Sequence, residues 1–191
     1  MKVIAFNGSP RTQGNTRILI DTVLTELKKQ NIDTEVIQIG GKEIRGCLAC
    51  GKCVKNKDQR CANTSDELND WLAKCLEADG ILLGSPTYFA DVSTEMKALI
   101  DRVGFVSRVN GNLLKRKVGA GVVAQRRGGS THVFDTMNHL FTISEMIIPG
   151  SDYWNFGCGL KEGDVRDDKE GMNTMRILGE NMGWLLTKIH A

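Results

Sequence analysis

The chain has 191 residues, with 25 lysines and arginines against 23 aspartates and glutamates, for a formal net charge of +2. That near-neutrality argues against a nucleic-acid footprint, and the sequence holds no apolar run of about 18 residues, the minimum for a membrane span. The composition is that of one globular domain, residues 1–191, expected to be cytoplasmic because the N-terminus enters a strand without a leader; its six cysteines then read as thiols or metal ligands, not disulfides.

The first strand is Val3-Ile4-Ala5-Phe6, followed by Asn7-Gly8-Ser9-Pro10-Arg11-Thr12-Gln13-Gly14-Asn15-Thr16 and a helical run. Such a loop gathers backbone N–H groups and hydroxyls at the positive end of a helix, a site for phosphate. Ser9, Thr12, Asn15 and Thr16 can donate hydrogen bonds. Gly8 and Gly14 allow close backbone approach, and Arg11 adds a charged donor. Three familiar phosphate loops do not fit. A P-loop needs lysine after its second glycine, where Asn15 stands. A dinucleotide fingerprint needs glycine where Pro10 stands. A phosphatase loop needs a cysteine, and this loop has none. A monophosphate held by amides and hydroxyls fits best.

Ile20, Val23, Leu24 and Leu27 mark the first helix, and Thr34–Ile39 the second strand, stopped by Gly40-Gly41. Residues 42–63 break the alternation: they hold four cysteines, four lysines and two arginines, and read as an insertion after the second strand. Thr64-Ser65-Asp66-Glu67 reads as a capping box for a helix whose buried stripe is Leu68, Trp71, Leu72, Cys75 and Leu76. Cys75 in that stripe reads as a small core hydrophobe.

Gly80–Gly84 is a short apolar strand suited to the sheet centre. Ser85-Pro86-Thr87-Tyr88-Phe89-Ala90-Asp91 follows at its carboxyl end, where α/β sheets bind ligands. The next helix carries Met96, Leu99, Ile100 and Val103, with Asp101-Arg102 expected on its polar side. Lys117–Ala124 is the fourth strand, and Gln125-Arg126-Arg127-Gly128-Gly129 the loop after it. Ser130 is expected to cap the following helix, and Glu145–Pro149 to form the fifth strand. Residues 150–169 are glycine-rich and acidic and carry Tyr153, Trp154, Phe156 and Cys158. They read as a long irregular loop before a last helix from Met172 to Ile189. Five strands alternating with five helices predict a three-layer α/β fold, a doubly wound parallel sheet of order 2-1-3-4-5. Loops 8–16, 85–91 and 125–129 then converge on one ligand.

The phosphate loop, Gly84-Ser85-Pro86-Thr87-Tyr88-Phe89, and Lys97…Ile100-Asp101-Arg102 together resemble the NADPH-dependent FMN reductase group of flavodoxin-like proteins. Cys47-x₂-Cys50-x₂-Cys53-x₇-Cys61 is similar to the iron–sulfur flavoproteins within that group. The resemblance spans roughly residues 1–130. It implies FMN phosphate held by Ser9, Arg11, Gln13, Gly14, Asn15 and Thr16. It implies an isoalloxazine against Pro86, Thr87, Tyr88 and Phe89, with Gln125, Arg126, Gly128 and Gly129 near its other side. It also implies a homodimer or homotetramer with flavins near subunit boundaries, which would bury the loop aromatics.

Four thiolates at this spacing suit a 4Fe–4S cluster. The fourth cysteine comes after a seven-residue gap and precedes Ala62, so this is no ferredoxin run. Structural zinc and a metal-free cysteine flap remain the competing readings. Lys52, Lys55, Lys57 and Arg60 are expected to offset the thiolate charge. No catalytic side chain is nominated, because a nicotinamide can pass hydride to a flavin without an acid or base. His132, His139 and His190 read as helix-surface residues, and Arg126 or Arg127 as a support for an anionic flavin edge. The expected function is an FMN-dependent oxidoreductase, with NAD(P)H or a ferredoxin-like donor and a small-molecule or protein electron acceptor. The alternatives are an electron-transfer module without hydride chemistry and a zinc-stabilised, non-enzymatic binding protein.

Overall fold

Strand alternation assigns the two faces of the sheet. The computed structural model describes residues 1–190. In β1 (Lys2–Asn7), Val3 and Ala5 point to one face and Ile4 and Phe6 to the other. β2 (Asp33–Gln38), β3 (Gly80–Pro86), β4 (Val118–Gln125) and β5 (Phe156–Cys158) complete a five-stranded parallel sheet of order β2-β1-β3-β4-β5, as expected. Its helices are α1 (Asn15–Lys29), the short α2 (Lys52–Asn56) in the cysteine insertion, α3 (Leu68–Glu77), α4 (Thr94–Val109), α5 (Ser130–Ile143) and α6 (Lys169–Ile189). α1 and α6 cover the Val3/Ala5/Leu82 face, and α3, α4 and α5 cover the Ile4/Phe6/Leu83 face. Gly119 and Gly121 leave room for Phe141 and Met137, so α5 lies close against β4.

The fifth strand is not where the sequence pattern put it. Of residues 145–149, only Ile147 pairs with the sheet, as an isolated bridge to Val118. Pro149 cannot donate to a ladder, and the chain swings outward until Asn155. There the Asn155 side-chain amide donates to the Gly121 carbonyl at 2.9 Å, in place of a strand amide. Pairing resumes at Phe156–Cys158, opposite Val123–Gln125. The supposed irregular loop therefore holds the edge strand.

Three local expectations also change. The capping box does not form: the side chain of Asp66, not Thr64, accepts from the Leu68 amide, and Glu67 instead pairs with Lys42 at 2.9 Å. Ser130 is the first residue of α5, and Gly129, at φ 89°, takes the cap position. Arg102 is not on a polar face. Its side chain is 1% exposed, for a reason that belongs to the cysteine insertion.

Candidate functional site

The carboxyl edge of the sheet carries a cleft of about 200 Å³. One wall is the first loop, through Ser9, Arg11, Asn15 and Thr16. The second is Pro86, Thr87 and Tyr88 after β3, and the third Ala124, Gln125 and Arg126 after β4. All three expected loops converge.

The first loop is braced from below. The Asn7 amide donates to Gln38 Oε1 at 2.7 Å, and Gln38 Nε2 donates to the carbonyls of Ser9 and Gly40 at 2.6 and 2.7 Å. The Gly8 amide donates to the Gly84 carbonyl at 2.8 Å. Ser9 is buried, its amide bonded to Asn7 Oδ1 and its hydroxyl accepting from the Arg11 amide. α1 then begins with Gly14 as its cap, with no side-chain cap bond and no acid in its first turn. The first helix amides have no intrahelical partner, so this end presents free donors and a positive dipole to the cleft.

Not every expected residue lines the cleft. Gln13 is exposed and outside it, and Gly14 shapes the helix entry from behind. Asn15 does line it, but its side chain is engaged elsewhere: Nδ2 donates to the Lys161 carbonyl, and Oδ1 accepts from the Gly163 amide, both at 2.9 Å. Phe89 stands clear of the cleft, fully exposed, on a tip where it and Ala90 both adopt left-handed backbone (φ 48° and 61°). Reciprocal Tyr88–Asp91 backbone bonds of 2.9 and 3.0 Å hold that turn closed. Gly128 is exposed, and Gly129 packs behind the tip against Ala90 and Thr87. Gly159 and Leu160 were missed, and they line the cleft just after β5. The signal for them was the carboxyl-edge rule, had β5 been placed at 156–158.

A second cavity of about 210 Å³ lies over α4, and Cys47, Cys50, Cys53 and Cys61 all line it. It shares no wall residue with the first. Ala49 and Gly51, at φ 50° and 68°, fold the chain so that three cysteines face one space. Among the described residues, no three potential ligands close on a single point. The four thiols line one cavity without closing on a point, which leaves room for a multi-atom group. Burial pushes the Cys53 thiol up. Cys75 is apart from the group, buried beneath α3, and burial holds its thiol up at about 12. It is the inert core residue expected.

Cys61 is fixed from two sides. Asn69 exchanges two hydrogen bonds with its backbone, at 2.8 and 2.9 Å. Arg102 Nη2 donates to its Sγ at 3.3 Å. Asn63 also lines the cavity, and its buried Nδ2 has no acceptor. A set of four thiols with spare N–H donors around it fits a sulfur-rich, negatively charged group. The expected cations Lys52, Lys55, Lys57 and Arg60 are exposed; the buried cation at the cysteines is Arg102.

The family model for NADPH-dependent FMN reductase matches residues 1–161. An iron–sulfur flavoprotein of Methanocaldococcus jannaschii is 36% identical over 194 aligned positions, covering 95% of this chain and 95% of the relative. Another, of Methanosarcina thermophila, is 32% identical over 177 positions, covering 92% and 90%. Among solved structures, RosB with bound 8-demethyl-8-formylriboflavin-5′-phosphate superposes with a TM-score of 0.76 at 18% identity, covering all of this chain and 80% of RosB. An archaeal flavodoxin gives 0.62 at 15%, covering 98% and 99%. At such identities these two speak for the flavodoxin-like fold alone. The family match over most of the chain and the near full-length alignments agree: the chain belongs to the NADPH-dependent FMN reductase family, among its iron–sulfur flavoproteins.

Proposed function

We propose that the carboxyl-edge cleft holds FMN, that the cysteine-ringed cavity holds a 4Fe–4S cluster, and that the chain is an FMN-dependent oxidoreductase passing electrons from a reduced donor to an acceptor. The observation that carries this is the presence of two separate cavities in one chain. One has a phosphate cradle, and the other has every cysteine of the insertion on its wall. When bound, the flavin supplies two-electron chemistry with NAD(P)H or another donor, and the cluster supplies single-electron transfer.

The chain's own residues then have defined work. Ser9, Thr16, the α1 amides and Arg11 hold the phosphate. Pro86, Thr87 and Tyr88 form one side of the ring slot, and Gln125 and Arg126 the other. The Thr87 amide and hydroxyl both donate to the Ala124 carbonyl, at 2.9 and 3.2 Å, so the two sides are tied together. Hydride delivery needs no side-chain acid or base, and none is assigned. Tyr88 and Leu160 are exposed on the cleft wall and Phe89 is fully exposed on the adjoining tip, which favours a second copy of the chain closing over them as a homodimer or homotetramer.

Anaerobic purification followed by flavin, iron and sulfide counts tests the reading. One FMN with four irons and four sulfides per chain is expected; a colourless, zinc-containing protein would overturn it. Arg11→Ala should weaken FMN binding about tenfold, the low end for a charged hydrogen bond at an exposed arginine. Unchanged affinity in a fluorescence titration would take Arg11 out of the cradle. Cys50→Ser should abolish the broad visible iron–sulfur absorbance while leaving the FMN content intact, because the cavities share no wall. Joint loss of both chromophores would contradict that independence.

A further inference from the structure

The cysteine insertion leaves the domain after Arg45 and returns at Asn63, and one buried guanidinium closes both ends. Arg102 Nη1 donates to the Arg45 carbonyl at 2.9 Å and to Asp66 Oδ2 at 2.5 Å. Its Nη2 donates to the Asn63 carbonyl at 3.2 Å and to Cys61 Sγ at 3.3 Å. Asp66 Oδ2 in turn accepts from the Arg45 amide at 3.2 Å. The side chains of Arg102 and Asp66 are 1% and 3% exposed. A lone ion pair would need only one of these donors. The planar fork of arginine serves four acceptors at once, and one of them is a cluster-ligand sulfur.

Building on the cluster reading above, we propose that Arg102 is a positioning residue that sets the cluster's reduction potential. It clasps the neck of the insertion and donates an N–H···S hydrogen bond to Cys61. A hydrogen bond to a ligand sulfur withdraws charge from it and so favours the more negative, reduced state, while the charge of the guanidinium itself is largely offset by Asp66. Arg102 therefore makes the cluster easier to reduce. The effect is local to one of the four ligands, because the structure gives Arg102 no bond to Cys47, Cys50 or Cys53.

Arg102→Lys separates this role from mere support. Lysine keeps the charge and the pairing with Asp66 but has no second arm for Cys61. In the full-length protein with FMN and cluster loaded, the variant should fold, keep its iron and FMN, and show a lower midpoint in a redox titration followed by electron paramagnetic resonance. The expected change is at least tenfold in the reduction equilibrium, about 59 mV for one electron. A variant cluster that titrates at the wild-type midpoint overturns the proposal.

A second measurement needs no change at Arg102. Arginine labelled with ¹⁵N at its guanidinium nitrogens is incorporated into an Arg45→Lys/Arg60→Lys background, so that Arg102 is the labelled residue at the cavity. The paramagnetic cluster should then show a ¹⁵N hyperfine coupling, and its absence also overturns the proposal. A wild-type protein that takes up no iron defeats the cluster reading itself and this inference with it. A loaded wild type with an unchanged Arg102→Lys midpoint defeats the inference alone.

Discussion

Gly40→Ala is expected to raise the FMN dissociation constant about 100-fold, some 2.8 kcal/mol at 1.4 kcal/mol per decade. The residue lies outside the cleft. A methyl at its Cα would stand 2.2 Å from the Ser9 carbonyl carbon, 2.3 Å from the Ser9 oxygen and 2.6 Å from the Gly8 oxygen. All three are backbone atoms, so no rotamer change relieves the contact. The bonds around the position leave little freedom either: the Gly40 amide donates to the Asn7 carbonyl at 2.9 Å, and Gln38 ties the Gly40 and Ser9 carbonyls together. The loop must shift, and with it the Ser9 hydroxyl and the neighbouring amides. Overpacking of this kind also costs about 1–3 kcal/mol of stability. Gly41 is the control. It has a positive φ of 79°, but the nearest atom to an added methyl is Pro10 Cβ at 3.7 Å. Gly41→Ala should therefore lose about 1–2 kcal/mol through backbone strain while binding FMN normally. A Gly40→Ala protein that titrates with FMN within threefold of wild type would show that the loop is not rigidly backed.

Much of this site was legible because it rests on short-range patterns. A strand, a glycine-and-hydroxyl loop and a helix start lie within the first 16 residues, and the switch-point rule places two more loops beside them. What could not be read was long-range. Glu145–Pro149 has a strand's composition, and its apolar residues do pack near the sheet edge. Only the fold shows that Asn155 satisfies Gly121 and moves the pairing to Phe156–Cys158. That single misplacement hid Gly159 and Leu160. Arg102 escapes the local pattern for the same reason. Its helical position beside Asp101 reads as polar, and nothing local announces that an insertion roughly forty to sixty residues earlier folds over it. Asp66 falls in a capping-box pattern, although its strongest partner is across the domain.

The Arg102–Asp66 pair also makes the largest stability prediction. Asp66→Ala leaves a buried guanidinium without its counter-charge, which costs about 3–5 kcal/mol. The pair lies beneath a single layer of loop, so the low end, about 3 kcal/mol, is expected; at about 2–4 °C per kcal/mol for a domain of this size, Tm should fall by roughly 6–12 °C. Asp66→Asn should lose less, since an amide oxygen can still accept from Arg102. The two substitutions can be told apart from a packing defect by pH. Burial pushes the Asp66 carboxyl up, but the Arg102 hydrogen bond and the Arg45 and Leu68 amides outweigh it and hold it below the usual carboxylate range. A lowered folded-state value gives stability that is complete above the ordinary carboxylate range and lost as pH falls through the folded value. The gap between wild type and Asp66→Asn in urea unfolding should therefore be full at pH 7 and shrink below about pH 4. A gap independent of pH would mean that the carboxylate's charge contributes nothing. An apolar pair could close the same neck at equal or greater stability, since buried ion pairs are often replaceable without loss. What an apolar pair could not do is present an N–H to the sulfur of Cys61.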